Sequence, residues 1–530
     1  MFLNKRGRAT SAFIASETKL SKKNVIESLT ILIQHSLVTF FENIENGSQK
    51  VFYSLNKKNL LRRPRIGLYL AKIEEKFGKI GLEIANVILT NGILSQEKLV
   101  EILRATKAEK VIGYYKDSMF NMVNDRVLVM ANQEYFQTTS ELKLKMEDNE
   151  IKTLAVPPTA KELDEIRSRI NEEIYLKQNS RVISGTKRKE YPNSYSDNDH
   201  KRYRAYDDES GGDVELDPKS WFVFSFDRLD VYMRNNQLVM FTESITNVGG
   251  GSIIKAMLEL SDNAIKSCRE AKTFTLTTNQ IVQKVPAEQE IHKHIILGND
   301  QDNMNMYYAK AEPTQVSMHV VGESIYSFLE LITNNKARFL IKTDGIGPGQ
   351  YYIDFKKAIS AIKNKHLQDF VRSNLGNDCV RLLNILSEHD YLDEKQLCKL
   401  ALTSSVKCRE NLMNLANSGF VEIQEIHRSA DRAPSRTIYL YTTNEQRQQA
   451  ALLKIMYQTA AFIYSLIDHE KSVQSKLIAK CKRADVIADP SLLSAYERNC
   501  LDKLNSNLEK LQVSLQRIDS MVLVFRDCLS

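Results

Sequence analysis

The chain has 530 residues, 42% apolar, 26% charged and 8% aromatic, which is the composition of an ordinary globular protein rather than a fibrous or disordered one. Lys and Arg number 73 against 66 Asp and Glu, a net charge of +7, so the distribution of charge is more informative than its sum. No uncharged apolar run approaches the roughly 20 residues of a membrane span, and MFLNKRGRAT leads into no signal-peptide core, so no membrane partner is expected.

Length alone suggests three or four domains, at about 150 residues each. Residues 21–38, SKKNVIESLTILIQHSLV, repeat in register as residues 404–421, SSVKCRENLMNLANSGFV. Ser21 matches Ser404, Val25 matches Cys408, Leu29 matches Leu412 and Leu32 matches Leu415. In each copy a Ser can cap a helix, and the apolar positions form one buried stripe. A two-stranded hairpin follows, with second strands at 51–55 and 437–441. Helix, turn and hairpin form the back half of a winged helix.

Two further copies can be drawn. Residues 81–130 contain two helices split at Asn91-Gly92, then a third that runs into a strand at Val127. Residues 324–354 contain a helix, then a hairpin turning at Asp344 through Gly349; helices upstream, including GGSIIKAMLELSDNA, complete that unit. Between the second and third copies the chain turns polar. A basic block with Lys187, Arg188, Lys189, Lys201 and Arg202 is followed by Asp207, Asp208, Glu209, Asp213, Glu215 and Asp217. Such a segment cannot bury enough apolar surface to order itself and reads as a linker. Its two basic clusters have the spacing of a bipartite nuclear-import signal; a solvated charged loop is the equal alternative.

The C-terminus is strongly periodic. Leu501, Leu504, Leu508, Leu511, Leu515, Ile518, Val522 and Phe525 recur at steps of three and four, and Leu453, Met456, Ala460, Ile463 and Ile467 form a second seam. Pro490 separates them. An antiparallel hairpin is favoured over an intermolecular coiled coil, because each helix has a partner within reach of a short connection.

The expected fold is therefore mainly α with small β-hairpins: four tandem winged helices plus a C-terminal antiparallel coiled-coil hairpin. The boundaries are 1–62 and 63–150 for the first two units, 151–217 for a largely disordered linker, 218–365 and 366–444 for the last two units, and 445–530 for the hairpin.

No catalytic constellation rises above background, and neither a cofactor nor a metal is expected. Gly249-Gly250-Gly251-Ser252 lacks the rest of a phosphate-binding loop and reads as a plain helix start. His292 and His294 have no Cys or carboxylate at ligand spacing. The seven Cys are irregularly spaced with no C-x-x-C, and His389 with Cys398 or Cys408 reads as structural. The densest cationic set outside the linker is Lys19, Lys22, Lys23, Arg62, Arg63 and Arg65, at the start of the first recognition helix and the end of its hairpin. If these converge, they can meet DNA phosphates; the rival reading is an acidic protein surface. The fourth recognition helix carries only Lys407 and Arg409, balanced by Glu410, which is unlike a reader of bases.

At residues 427–444, HRSADRAPSRTIYLYTTN, the sequence resembles the end of the fourth winged helix in the peripheral winged-helix subunit of eukaryotic RNA polymerase III. That family is the large member of the enzyme's initiation heterotrimer and is related to the alpha subunit of general factor IIE. Asp431, Ala433, Pro434, Ser435, Arg436, Thr437, Tyr439, Leu440 and Tyr441 fit its pattern, and the resemblance runs on through LLKIMYQTAAFIYSLI and the terminal hairpin. Leu32 to Val38 and Leu276 to Ile281 fit as well. One departure is that the family's first unit opens with an extra helix, so the first unit here is expected to lack a helix that would pack on Leu29 and Leu32.

The resemblance implies a nuclear, non-catalytic polymerase III subunit acting in promoter recruitment and initiation on genes for transfer RNA and 5S RNA. Its implied partners are two smaller subunits, the clamp of the largest catalytic subunit, initiation factor IIIB and, weakly, promoter DNA. The alternatives are a winged-helix scaffold of proteasome-lid or cullin type, which carries one such unit after a helical solenoid, and a stand-alone DNA-binding regulator.

Overall fold

The structure, a computed structural model, describes residues 2–45, 48–104, 109–137, 139–153, 159–179, 186–188, 214–262, 265, 267–285, 318–343, 349–427, 437–488 and 492–528. The chain forms two compact units, Met1–Leu229 and Asp230–Ser530.

The first unit opens with α1 (Phe2–Arg6), β1 (Ala9–Thr10), α2 (Ser11–Thr18) and α3 (Lys22–Gln34), then the hairpin β2 (Val38–Glu45) and β3 (Ser48–Leu55). The strands lie in the order β1-β3-β2, with Ala9 opposite Tyr53 and Phe40 opposite the same residue on the other side. Ile14, Val25, Leu29 and Val38 form the core, and Phe2 and Leu3 pack against it together with Leu32. A short helix does precede α2: Phe2 and Leu3 of α1, both partly buried, lie on the cluster that a first helix was expected to cover.

After α4 (Lys57–Leu61) the second helical bundle comprises α5 (Ile66–Asn91), β4 (Leu94–Ser95), α6 (Gln96–Arg104), α7 (Glu109–Asn124) and β5 (Leu128–Met130). Gly92, at φ +77°, ends α5 where a Cβ would stand 2.5 Å from the Gln34 carbonyl oxygen, a conformation and an approach that suit glycine alone. The bundle's hairpin is not local. The central strand is β8 (Trp221–Phe224), in the order β4-β8-β5, with Leu128 opposite Phe224 and Leu94 opposite Phe222. Phe222, Val223 and Phe224 are buried. The boundary drawn at 217/218 is therefore displaced: four residues assigned to the third winged helix close the sheet of the second.

The segment between is not uniformly irregular. α8 (Thr139–Thr153) and α9 (Ala160–Asn179) pair through Leu142 and Met146 against Ile166, Ile170 and Ile174. An isoleucine every fourth residue supplies one narrow apolar stripe, which is enough when a neighbouring helix covers it. β6 (Thr186–Arg188) pairs with β7 (Val214–Leu216). The linker assigned to 151–217 thus contains a helix and a strand pair; its residues 154–158, 180–185 and 189–213 lie outside those described.

The second unit takes up α10 (Phe226–Ile245) from Asp230, then α11 (Val248–Leu260), β9 (Leu276–Thr277), α12 (Thr278–Lys284), α13 (Met318–Thr333), β10 (Leu340–Lys342) and β11 (Gln350–Ile353). The sheet order is β10-β11-β9. There follow α14 (Phe355–Leu375), α15 (Asn377–Glu388), β12 (Leu392–Asp393), α16 (Glu394–Ala401), α17 (Ser405–Asn417), β13 (Glu422–His427) and β14 (Thr437–Thr442), with the order β12-β14-β13. One core is continuous through both bundles, from Ile253 and Phe328 to Leu412 and Leu452. The boundary placed at 365/366 falls inside α14, whose buried Phe355, Ala358 and Ile362 belong to that shared core.

The chain ends with α18 (Glu445–Val473), α19 (Ser475–Cys481), α20 (Ala484–Ala488) and α21 (Ala495–Val522). Asn444 caps α18, and Ser494 with Glu497 forms a capping box on α21. α18 and α21 run antiparallel: Arg526, just beyond α21, reaches the Tyr457 hydroxyl at 3.1 Å, while Lys480 meets Glu497 at 2.7 Å. Along 501–518 the residues that are not exposed are Leu501, Leu504, Leu508, Leu511, Leu515 and Ile518, and Met456, Ile463 and Ile467 are buried on the facing helix. An 18-residue window within α18 has a mean hydropathy of 1.4, enough by length and composition alone to cross a membrane. Its buried stripe is accounted for by packing within the second unit. Two short helices make the connection; Pro490 lies outside the described residues.

Candidate nucleic-acid interface

The first-repeat lysines are placed by local capping. α2 stops at Lys19, which adopts the left-handed conformation at φ 56°. Ser21 then accepts a hydrogen bond from the Asn24 backbone N–H at 3.2 Å and starts α3 at Lys22. With Val25 and Leu29 turned inward, Lys19, Lys22 and Lys23 are left exposed on one helix start. The first turn contains no acidic residue. Two lysines added to the positive end of a helix dipole make a local anion attractor.

The arginines do something else. Arg62 and Arg65 are buried, at 3% and 1% exposure. The Arg62 guanidinium donates to Asp227 at 2.6 Å and to the Asn59 side chain at 3.3 Å, and Lys58 meets the same Asp227 oxygen at 2.8 Å. Burial works to raise the Asp227 pKa, but Arg62 and Lys58 outweigh it and hold the carboxyl at about 2. Nearby, the Tyr135 hydroxyl donates to the Phe224 carbonyl at 3.1 Å, and burial pushes it up to about 12. Arg62 and Arg65 are therefore withdrawn from the DNA-contact set. Both lie in the turn that joins α4 to α5 and are buried there.

Arg63 is half-buried and lies near His35, whose pKa falls through burial and then the Arg63 charge. His35 is the C-cap of α3, a helix of 13 residues and so about 20 Å long. Arg63 and the lysine cluster thus sit at opposite ends of α3, and the expected convergence does not occur. Upstream, Arg8 is engaged by the buried Glu141 at 2.6 Å.

The other sequence candidates resolve plainly. Gly249, Gly250 and Gly251 are buried in the first turn of α11, capped by Asn247. A Cβ on Gly250 would lie 2.2 Å from Thr246 Oγ1, and one on Gly251 would lie 2.3 Å from Glu243 Cγ. The glycines let α11 start hard against the end of α10. Cys268, Cys379, Cys408 and Cys528 are buried free thiols. Among the described residues no cluster of His, Cys, Asp or Glu could hold a metal; His292 and His294 lie outside them. Lys187 stands opposite Glu215 in the strand pair, while Lys189, Lys201 and Arg202 lie outside the described residues.

Sequence reasoning missed one feature. A cleft of about 400 Å³ in the first unit is lined by Gln34, Asn91, Lys98, Ile102 and Trp221 among others, with Lys98 Nζ 4.7 Å from the Trp221 ring centroid. Its walls come from several separate stretches of chain. No motif could have announced it.

Comparison with known proteins agrees with this architecture. Residues 1–43 match the RNA polymerase III subunit RPC82 helix-turn-helix domain, residues 117–362 match RNA polymerase III subunit RPC82, and residues 367–443 match the C-terminal winged-helix domain of POLR3C. DNA-directed RNA polymerase III subunit RPC3 of Danio rerio is 22% identical over 98% of this chain and 92% of its own length. The rat subunit of the same name is 23% identical over 96% and 90%, and that of Yarrowia lipolytica is 22% identical over 98% and 93%. The matched segments include the three helices of the first repeat, strands β5 and β8 of the sheet closed across the linker and the whole of the fourth repeat, and the chain belongs to the RNA polymerase III subunit RPC82 family.

Proposed function

We propose that the chain is a non-catalytic subunit of RNA polymerase III that acts in promoter recruitment and initiation on genes for transfer RNA and 5S RNA. The observation that carries this is collinearity: relatives named as this subunit align over more than nine-tenths of the chain. Among the described residues four helical bundles, each with a three-stranded sheet, supply faces for docking, and they weigh against a proteasome-lid or cullin scaffold with one such unit after a solenoid. We further infer two smaller subunits, the clamp of the largest subunit and initiation factor IIIB as partners, and the nucleus as the site of action. Lys187, Arg188, Lys189, Lys201 and Arg202 remain the candidate import signal. Lys19, Lys22 and Lys23 are the residues for weak, sequence-insensitive contact with promoter DNA.

The test is purification of a tagged copy. Polymerase III subunits should be recovered in stoichiometric amounts; recovery of proteasome or cullin components instead would overturn the reading.

A further inference from the structure

The first and fourth repeats share a backbone and differ in what they display on it. In the register that matches Ser21 with Ser404, Lys19 corresponds to Leu402, Lys23 to Val406 and Thr30 to Met413. Lys19 and Leu402 both end a helix in the left-handed region, at φ 56° and 54°. The first repeat therefore presents cations and a hydroxyl at the positions where the fourth presents three apolar side chains.

Those side chains are not covered. Leu402 is 86% exposed, Val406 72% and Met413 56%, and Leu400 beside them is half exposed. Val406 and Met413 stand two turns apart on one face of α17, opposite the buried Cys408, Leu412 and Leu415. Single exposed apolar residues are ordinary, but two on one helix face beside an exposed Leu402 and Leu400 at the end of the preceding helix make a patch. Leu402 adds a second sign. A branched residue at positive φ costs backbone energy that glycine would avoid, and here the side chain gains little packing in return.

The charges around the patch indicate what covers it. Lys399 and Lys407 flank Leu402 and Val406 and are exposed. Arg409 is exposed but paired with Glu394 at 2.7 Å, so its charge is largely matched within the repeat; Glu410 is the one acid on the stripe. Nucleic acid fits poorly, because apolar side chains stand where phosphates would need donors. We infer that the outward face of α17 with Leu402 docks a protein segment whose apolar side chains are flanked by Asp or Glu. Apolar contact supplies the affinity, and the two lysines set the orientation. This inference does not rest on the polymerase reading.

The experiment uses the full chain with a benzophenone amino acid in place of Val406, irradiated in a nuclear extract, with the crosslinked peptide sequenced by mass spectrometry. The expected product is a protein segment with apolar residues next to carboxylates. Its yield should fall at least fivefold with Lys399→Glu and Lys407→Glu together. Leu402→Gly should also lower the yield while leaving the melting temperature unchanged or raised, which separates lost contact from lost folding. Crosslinking to nucleic acid, crosslinking to a second copy of this chain, a yield indifferent to both changes, or no crosslink at all would each overturn the inference. If tagged protein fails to recover polymerase subunits while the crosslink persists, the polymerase assignment falls and this one stands.

Discussion

Burial separates the exposed Lys19, Lys22 and Lys23 from the buried Arg62 and Arg65, and two variants test the separation. Lys22→Ala with Lys23→Ala removes two exposed charges from the start of α3; Arg62→Met removes a buried guanidinium while keeping its apolar stem. If the lysines each meet a phosphate, the logarithmic salt slope of duplex binding should flatten by about 1.8, at roughly 0.9 per contact. Folding should be nearly untouched, since surface changes of this kind stay within about 0.5 kcal/mol. For Arg62→Met the order is reversed. Asp227 sits at about 2 instead of 3.8. That difference corresponds to at most about 2.4 kcal/mol, at roughly 1.36 kcal/mol per pH unit. The Asp227 side chain is 53% exposed, so water screens much of the interaction and about 1 kcal/mol remains. At about 2–4 °C per kcal/mol for a unit of this size, the transition of the first unit should fall by a few degrees. Fluorescence anisotropy with a duplex at several salt concentrations, together with calorimetry, reads both effects. An Arg62→Met protein with unchanged melting and a flattened salt slope would refute the division. An unchanged slope in the double-lysine variant would remove α3 from the DNA path.

Three other outcomes are expected. The Asp227 contribution should depend on acid: a lowered carboxyl pKa stabilises fully above its ordinary value near 3.8 and is lost as pH falls toward 2, so the melting difference between the native chain and Asp227→Asn should shrink from pH 5 to pH 2. Ile463→Ala or Leu504→Ala, both buried in the terminal hairpin, should each cost about 2–5 kcal/mol, whereas the half-buried Leu508 and Leu515 should cost less; circular dichroism during thermal melts would show it, and equal losses at all four positions would contradict the packing. Gly250→Ala should destabilise the second unit by about 1–3 kcal/mol, because the new Cβ meets the stiff Thr246 side chain at 2.2 Å; a neutral substitution in a denaturant titration would show that α11 can shift.

Much of this architecture could be read from periodicity. The seam from Leu501 to Ile518 marks the positions that are shielded from water, because a helix that buries one face must carry its apolar residues at steps of three and four. The two in-register repeats could be recognised because capping Ser, buried stripe and hairpin are all local features. What escaped was non-local. Trp221–Phe224 reads as the opening of the third repeat, yet it closes the sheet of the second across a long polar stretch; hydrogen bonding between strands leaves no trace of partner choice in a four-residue run. α9 was hidden in a charged segment because a single isoleucine stripe outweighs composition once α8 lies beside it. The cationic site divided for the same reason. Sequence identifies Lys22, Lys23, Arg62 and Arg65 as equal charges, and only the fold, by setting Asp227 against Arg62 and turning Arg65 inward, decides which of them can meet an outside anion. Charge is a property of the residue, but its availability depends on burial and on partners far away in the chain.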